Sequence, residues 1–166
     1  MKIKFDGTEM NLLGTEIKVG DKAPNFTATK NDLSDYSIEE DKGKVVIISV
    51  VPSIDTGVCS IQTSTFNEEA AKLGDDIKIL TISLDLPFAQ ERFCAAKGID
   101  KAEIVSDYKN REFGEKYGFL IDELKLLTRG IVILDKEGTV QYVEYVPEVT
   151  DEVNFDKALE EAKKLV

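Results

Sequence analysis

Histidine is absent from the 166-residue sequence. That removes the commonest general base, the commonest transition-metal ligand and the side chain that most readily changes charge near neutral pH. Tryptophan is absent too, and cysteine occurs only twice. Two thiols without an imidazole make a poor zinc site, and no CxxC pair is present, which excludes an adjacent dithiol. Lys and Arg number 21 against 32 Asp and Glu, a formal net charge of −11. Such a field repels nucleic-acid phosphates and anionic lipid, so neither is an expected partner. No apolar run approaches the ~18 residues of a membrane span. The opening MKIKFDGTEM lacks the apolar core of a secretory leader, so the expected location is cytoplasmic. Neither GxGxxG nor GxxxxGK occurs, and no carboxylate spacing forms a paired acid/base or EF-hand motif, so no cofactor or metal site is expected.

What is present reads as one domain over residues 1–166. Apolar residues make up 42% and charged residues 32%, as in a globular chain able to bury a core. Residues 2–5 and 9–13 read as strands around Asp6-Gly7, a hairpin turn. VVIISVV (45–51) is apolar on both faces and β-branched, the pattern of a fully buried strand. Pro52 ends it, and residues 53–58 lead into a helix in which Phe66, Ala70 and Leu73 recur, with Gly74 as its stop. Residues 77–84 form the next strand. Pro87 opens a second helix that Gly98 closes. A short strand (104–106) and a short helix (111–117) follow. Residues 130–134 and 140–145 pair as a hairpin, and a last helix covers 155–164. Strands that alternate with helices and then close on a hairpin predict an α/β thioredoxin-like fold: a mixed β-sheet flanked by helices, with an N-terminal β-hairpin extension. A flavodoxin-like parallel sheet is the competitor, but it would end on another βα unit.

Cys59 and Cys94 are the only thiols. Cys94 sits among Phe93, Ala95 and Ala96, where a small buried hydrophobe is the ordinary role. Cys59 falls in the first turn of its helix, where backbone amides and the helix dipole favour negative charge and make a thiol nucleophilic. Thr56 lies three residues before it, either as the N-cap or as a hydroxyl directed at the sulfur. The two roles compete if one proton must serve two acceptors. Arg129 is one of three arginines and precedes an apolar strand. It reads either as a cation for the thiolate or as a strand-end residue paired with surface carboxylates. Pro52 either shields the sulfur from water or simply ends a strand. Arg92 and Arg111 lie beside Glu91 and Glu112 and read as surface residues.

The segment VVPSIDTGVCS (50–60) resembles the active-site loop of peroxiredoxins, with their Pro-x-x-x-Thr-x-x-Cys pattern. It is most similar to the thiol peroxidase subfamily of atypical two-cysteine peroxiredoxins. SLDLPFAQERFC (83–94) resembles that subfamily's resolving-cysteine helix, and SDYKNREFGEKYG, LIDELKLLTRGIVILDKEG and VEYVPEVTDE extend the likeness over nearly the whole chain. The resemblance implies that Cys59 is the peroxidatic cysteine and Cys94 the resolving one, with Pro52, Thr56 and Arg129 completing the site. Gly57 stands where many relatives carry proline, and Thr128 and Gly130 flank the arginine where Ala and Ser are common. The implied activity is reduction of hydrogen peroxide and organic hydroperoxides through a sulfenic acid and an intrachain Cys59–Cys94 disulfide, recycled by thioredoxin or a similar dithiol. The likeness also implies a homodimer. Phe88, Phe93, Tyr117, Phe119, Leu120 and Leu124 form either an apolar wall near the thiols or ordinary core. The expected reduced fold keeps the thiols beyond bonding distance, so that both helices must partly unwind, with Gly57 and Gly98 beside the moving segments. A non-enzymatic redox sensor and a structural protein with two inert cysteines are the alternatives.

Overall fold

The computed structural model describes residues 1–166. The chain starts with a hairpin of β1 (Lys2–Phe5) and β2 (Thr8–Leu13). Its turn residues Asp6 and Gly7 both have positive φ, 51° and 82°, as a tight hairpin twisted to match its strands requires. Then come β3 (Thr27–Thr29), β4 (Asp35–Ser37), a 3-10 turn (Ile38–Asp41), β5 (Val45–Val50), α1 (Gly57–Leu73), β6 (Ile77–Ser83) and α2 (Pro87–Lys97). The rest is β7 (Glu103–Ser106), α3 (Glu112–Lys116), β8 (Leu120–Ile121), β9 (Gly130–Leu134), β10 (Val140–Tyr145) and α4 (Phe155–Lys163).

Seven strands form one mixed sheet in the order β10-β9-β5-β6-β7-β3-β4. β5, β6 and β7 run parallel, whereas β9 is antiparallel to β5 and β10 to β9. This is the thioredoxin-like arrangement, and the antiparallel β9–β10 hairpin excludes the flavodoxin-like competitor. A second sheet, β1-β2-β8, uses a two-residue strand too short to show in the sequence pattern.

All six residues of β5 are buried, because each face of the sheet is covered. Val46, Ile48 and Val50 face Phe26, Phe113, Tyr117 and Phe119. Val45 and Ile47 face Phe66 of α1 and Ala158, Leu159 and Ala162 of α4. Each buried Val, Leu, Ile or Phe among them contributes roughly 1.5–3 kcal/mol by leaving water. The expected apolar wall near the thiols does not form as a unit. Tyr117, Phe119 and Leu120 belong to the core, while Phe88 and Leu124 are 63% and 40% exposed. Apolar character alone does not tell which face of the sheet a residue reaches.

At the end of β7, buried Asp107 receives the backbone N–H groups of Phe113 and Gly114 at 3.1 and 2.8 Å, closing the start of α3. Burial pushes its carboxyl up to about 6, against the pull of those two donors. A folded value above the unfolded one means a stabilising contribution that is complete in acid and is lost as pH rises through about 6. Between pH 5 and 7.5 the wild type should therefore lose about 1 kcal/mol of unfolding free energy more than Asp107→Asn, as read by urea titration. Equal pH slopes in the two proteins would refute this.

Candidate active site

The site lies where β5 ends and α1 begins. Val51 and Pro52 are buried, and the chain turns through Ser53–Asp55 to Thr56, an extended N-cap residue with φ −91° and ψ 151°. The Thr56 Oγ1 accepts the Cys59 N–H at 3.2 Å. N-capping therefore uses an oxygen lone pair and leaves the hydroxyl proton free. The competition expected from the sequence does not exist, because the cap and a donated hydrogen bond use different parts of one hydroxyl.

Cys59 is fully buried and is a free thiol. It begins a buried stripe on α1 made of Cys59, Gln62, Thr63 and Phe66, helical spacing with two polar members. Arg129, the residue before β9, is only 2% exposed. Its Nη2 donates to the Cys59 Sγ at 3.0 Å, its Nη1 to the Gln62 Oε1 at 2.8 Å and its Nε to the Val149 carbonyl at 2.7 Å. None of these partners is a carboxylate, so the surface-pairing alternative is discarded. A cation buried this deeply costs several kcal/mol unless an anion meets it, and the sulfur is the one partner able to carry the charge.

Gln62 and the Val149 carbonyl were not found from the sequence. Gln62 is held in turn, its Nε2 donating to the Ser49 Oγ at 2.8 Å. The available signal was an amide three residues after Cys59, on the face of α1 that carries Phe66. Gly130 also has a role. A Cβ there would lie 2.1 Å from the Glu144 carbonyl oxygen and 2.6 Å from the Phe119 ring, so only glycine lets β10 pair this closely beside Arg129.

Cys94 lies elsewhere. It is half-buried in α2 and packs against the core under that helix. Burial pushes its thiol up, against a hydrogen bond from the Asn31 side chain. Both helices cover the same face of the parallel strands. Asn67 of α1 accepts the N–H groups of Lys101 and Ala102 at 2.8 and 3.0 Å, which levels it with the end of α2. Eight residues of rise, about 12 Å, separate Cys59 from Asn67, and about 6 Å separates Cys94 from Gly98. That leaves an offset of about 6 Å along helices whose axes lie at least about 8–10 Å apart, so the two Cα atoms are on the order of 10 Å apart or more. A disulfide spans at most about 7 Å between Cα atoms. The sequence expectation that the thiols start out of reach agrees with this geometry.

The Redoxin family model matches residues 18–159. A thiol peroxidase of Bacillus subtilis (strain 168) is 55% identical over 165 residues, covering 99% of this chain and 98% of that protein. A thiol peroxidase of Halalkalibacterium halodurans is 54% identical over 161 residues, covering 97% and 96%. The crystal structure of a peroxiredoxin-like protein from Aquifex aeolicus superposes with a TM-score of 0.94 at 39% identity, covering 99% of this chain and 97% of that one.

Gly57 is the first residue of α1, and nothing lies within 4 Å of where its Cβ would be. Proline suits that position, and the preceding Thr56 already has the extended backbone that proline demands. Gly57→Pro should raise stability by about 0.4–1 kcal/mol in thermal or urea unfolding. A less stable variant would show that the loop needs glycine.

Proposed function

We propose roles for five side chains in a chain that belongs to the Redoxin family and, within it, to the thiol peroxidases. The protein is an enzyme that reduces peroxides by cysteine chemistry. In the proposed assignment the Cys59 thiolate attacks the distal peroxide oxygen. An S–O bond forms as the O–O bond breaks, and the sulfur gives up two electrons to become a sulfenic acid. The leaving oxygen departs as hydroxide or alkoxide and takes a proton from solvent, giving water or an alcohol. Arg129 holds the thiolate and faces the charge that moves onto the leaving oxygen. Thr56 offers its free hydroxyl proton to the peroxide. Pro52 has no N–H to hydrate and closes the buried side of the loop. Cys94 then attacks the sulfenic sulfur, an S–S bond forms, and the hydroxyl leaves as water with the Cys94 proton. A thioredoxin-type dithiol returns two electrons by thiol exchange.

The observation that carries this reading is the buried guanidinium whose only chargeable partner is the Cys59 sulfur. The raised Cys94 thiol fits its part, because it stays protonated and unreactive until α2 opens. The same proposal treats residues 1–166 as one domain acting in the cytoplasm. No helix is long and apolar enough to cross a membrane. Pairing of two copies is included too, supported by exposed Leu86 and Phe88 at the start of α2. A monomer in analytical ultracentrifugation would remove that part.

The test uses one equivalent of peroxide followed by digestion without reductant. A Cys59–Cys94 cross-linked peptide is expected. Cys59→Ser should consume no peroxide, and Cys94→Ser should complete one turnover and hold a dimedone-reactive sulfenic acid. Arg129→Gln should slow the first step by about 10²–10³-fold in stopped flow. Wild-type speed in that variant, or Cys94→Ala cycling normally with thioredoxin, would sink the assignment.

A further inference from the structure

The carboxylate of Asp85, between β6 and α2, is the meeting point of the two thiol-bearing segments. Its Oδ1 accepts the Ser53 hydroxyl at 2.8 Å and its Oδ2 accepts the Ile54 N–H at 2.9 Å. Both donors belong to the loop that delivers Thr56 and Cys59. The same Oδ2 accepts the Ser83 hydroxyl at 2.6 Å. Ser83 in turn accepts the Gln90 Nε2 at 3.0 Å, and Gln90 lies on α2 one turn before Cys94. The backbone carbonyl of Asp85 is also held, by the Ser106 hydroxyl. A continuous hydrogen-bonded chain therefore runs from the peroxide-site loop through Asp85 and Ser83 to the face of α2 that leads to Cys94.

We propose that Asp85 is a positioning residue, a latch that fixes the Ser53–Ile54 backbone against the root of α2 and so holds the Cys59 turn in its attacking geometry while α2 is closed. The proposal rests on the peroxidase reading above. No residue of the latch touches the reacting atoms, so its effect reaches the chemistry only through the position of the loop. Misplacement of a reacting group by about 1 Å costs on the order of 10²-fold in rate. Gln90 gives the latch a bias on its α2 side. Its Nε2 also donates to the Val105 carbonyl at 2.9 Å, but its Oε1 is buried without a partner. Opening α2 hydrates that oxygen, so the closed latch already bears a penalty that opening relieves.

Asp85→Ala leaves the Ile54 N–H and two hydroxyls without their acceptor. Asp85→Asn can keep the Ile54 and Ser83 bonds on its Oδ1 and meet Ser53 with its amide. Ser53→Ala removes the bond to Asp85 and the acceptor of the Asp55 N–H within the loop, and nothing on α2. Rapid-quench mass spectrometry would follow thiol, dimedone-trapped sulfenic acid and disulfide after one equivalent of hydrogen peroxide. Sulfenic acid formation should slow 10–100-fold in Asp85→Ala and several-fold in Ser53→Ala, and return to within a few-fold of wild type in Asp85→Asn. Conversion of sulfenic acid to disulfide should not slow in any of them. Amide exchange across residues 53–59, measured on the reduced protein without peroxide, should quicken at least tenfold in Asp85→Ala. Attack at the wild-type rate, equal slowing of both steps, or unchanged exchange would overturn the latch. If Asp85→Ala does not fold, Ser53→Ala against Asp85→Asn makes the same comparison. If the wild type itself forms no sulfenic acid, the peroxidase reading fails, and the exchange measurement still decides the latch.

Discussion

A guanidinium placed out of water against a sulfur is the contact on which the rest of the site depends. The chain carries 32 acidic residues, yet the three donors that Arg129 commits go to a carbonyl, an amide oxygen and Cys59. A carboxylate beside that cation would pair with it and take the place the sulfur holds. Neutral acceptors satisfy the donors without spending the charge. They also come from two elements: the segment after β10 and helix α1. A side chain held by three hydrogen bonds from two elements has lost its rotamer freedom on folding, before any substrate arrives, and that is the meaning of preorganisation here.

The first turn of α1 shows what this arrangement costs. A helix packed on a sheet would ordinarily bury apolar residues along its inner stripe. Here Cys59, Gln62 and Thr63 occupy those positions before Phe66 restores the usual pattern. The polar atoms are offset by bonds: Gln62 to Ser49, Thr63 to the Cys59 carbonyl, and Thr56 to the Cys59 N–H. Ser49 is itself an interruption in an otherwise apolar β5, so the strand and helix carry matching polar residues at the point where they face each other. The site is stabilised as a network of hydrogen-bonded polar side chains set into the core.

That network explains what could and could not be read from residues in a row. β5, the two hairpins and the helices around Cys59 and Cys94 were legible, because periodicity, Pro87, Gly74 and Gly98 are local signals. β4 and β8 were not, because three and two residues carry no period. Cys59, Thr56 and Pro52 lie within eight residues and form a readable pattern. Gln62 acquires its role only from Arg129, 67 positions away, and the Val149 carbonyl is backbone that any residue would supply. Asp85 and Asp107 carry no signal in the sequence for the same reason: their partners are donors contributed by folding. Gly130 differed from the residue expected there and proved to be required by the closeness of β10.

The two thiols make opposite demands on the fold, and the two helices are built unequally to meet them. Attack needs a fixed sulfur, whereas joining two cysteines whose Cα atoms lie on the order of 10 Å apart needs a segment that yields. The sequence suggested that both helices must give way. Of the two, α2 has the less to hold it in place. That helix has 11 residues, buries only Pro87 and Gln90, and starts at Leu86 with no side-chain cap. A helix of that length without a cap or a broad apolar face has little holding it beyond its neighbours. α1 runs 17 residues, is capped by Thr56 and is tied at its buried stripe to Arg129 and Ser49. Opening α2 also exposes Cys94, whose raised thiol then returns toward its ordinary range in water and becomes a better nucleophile at the moment it is needed. In the proposed cycle the motion of α2 activates the second thiol, and the first turn of α1 must also loosen, because Cys59 is fully buried where Arg129 holds it.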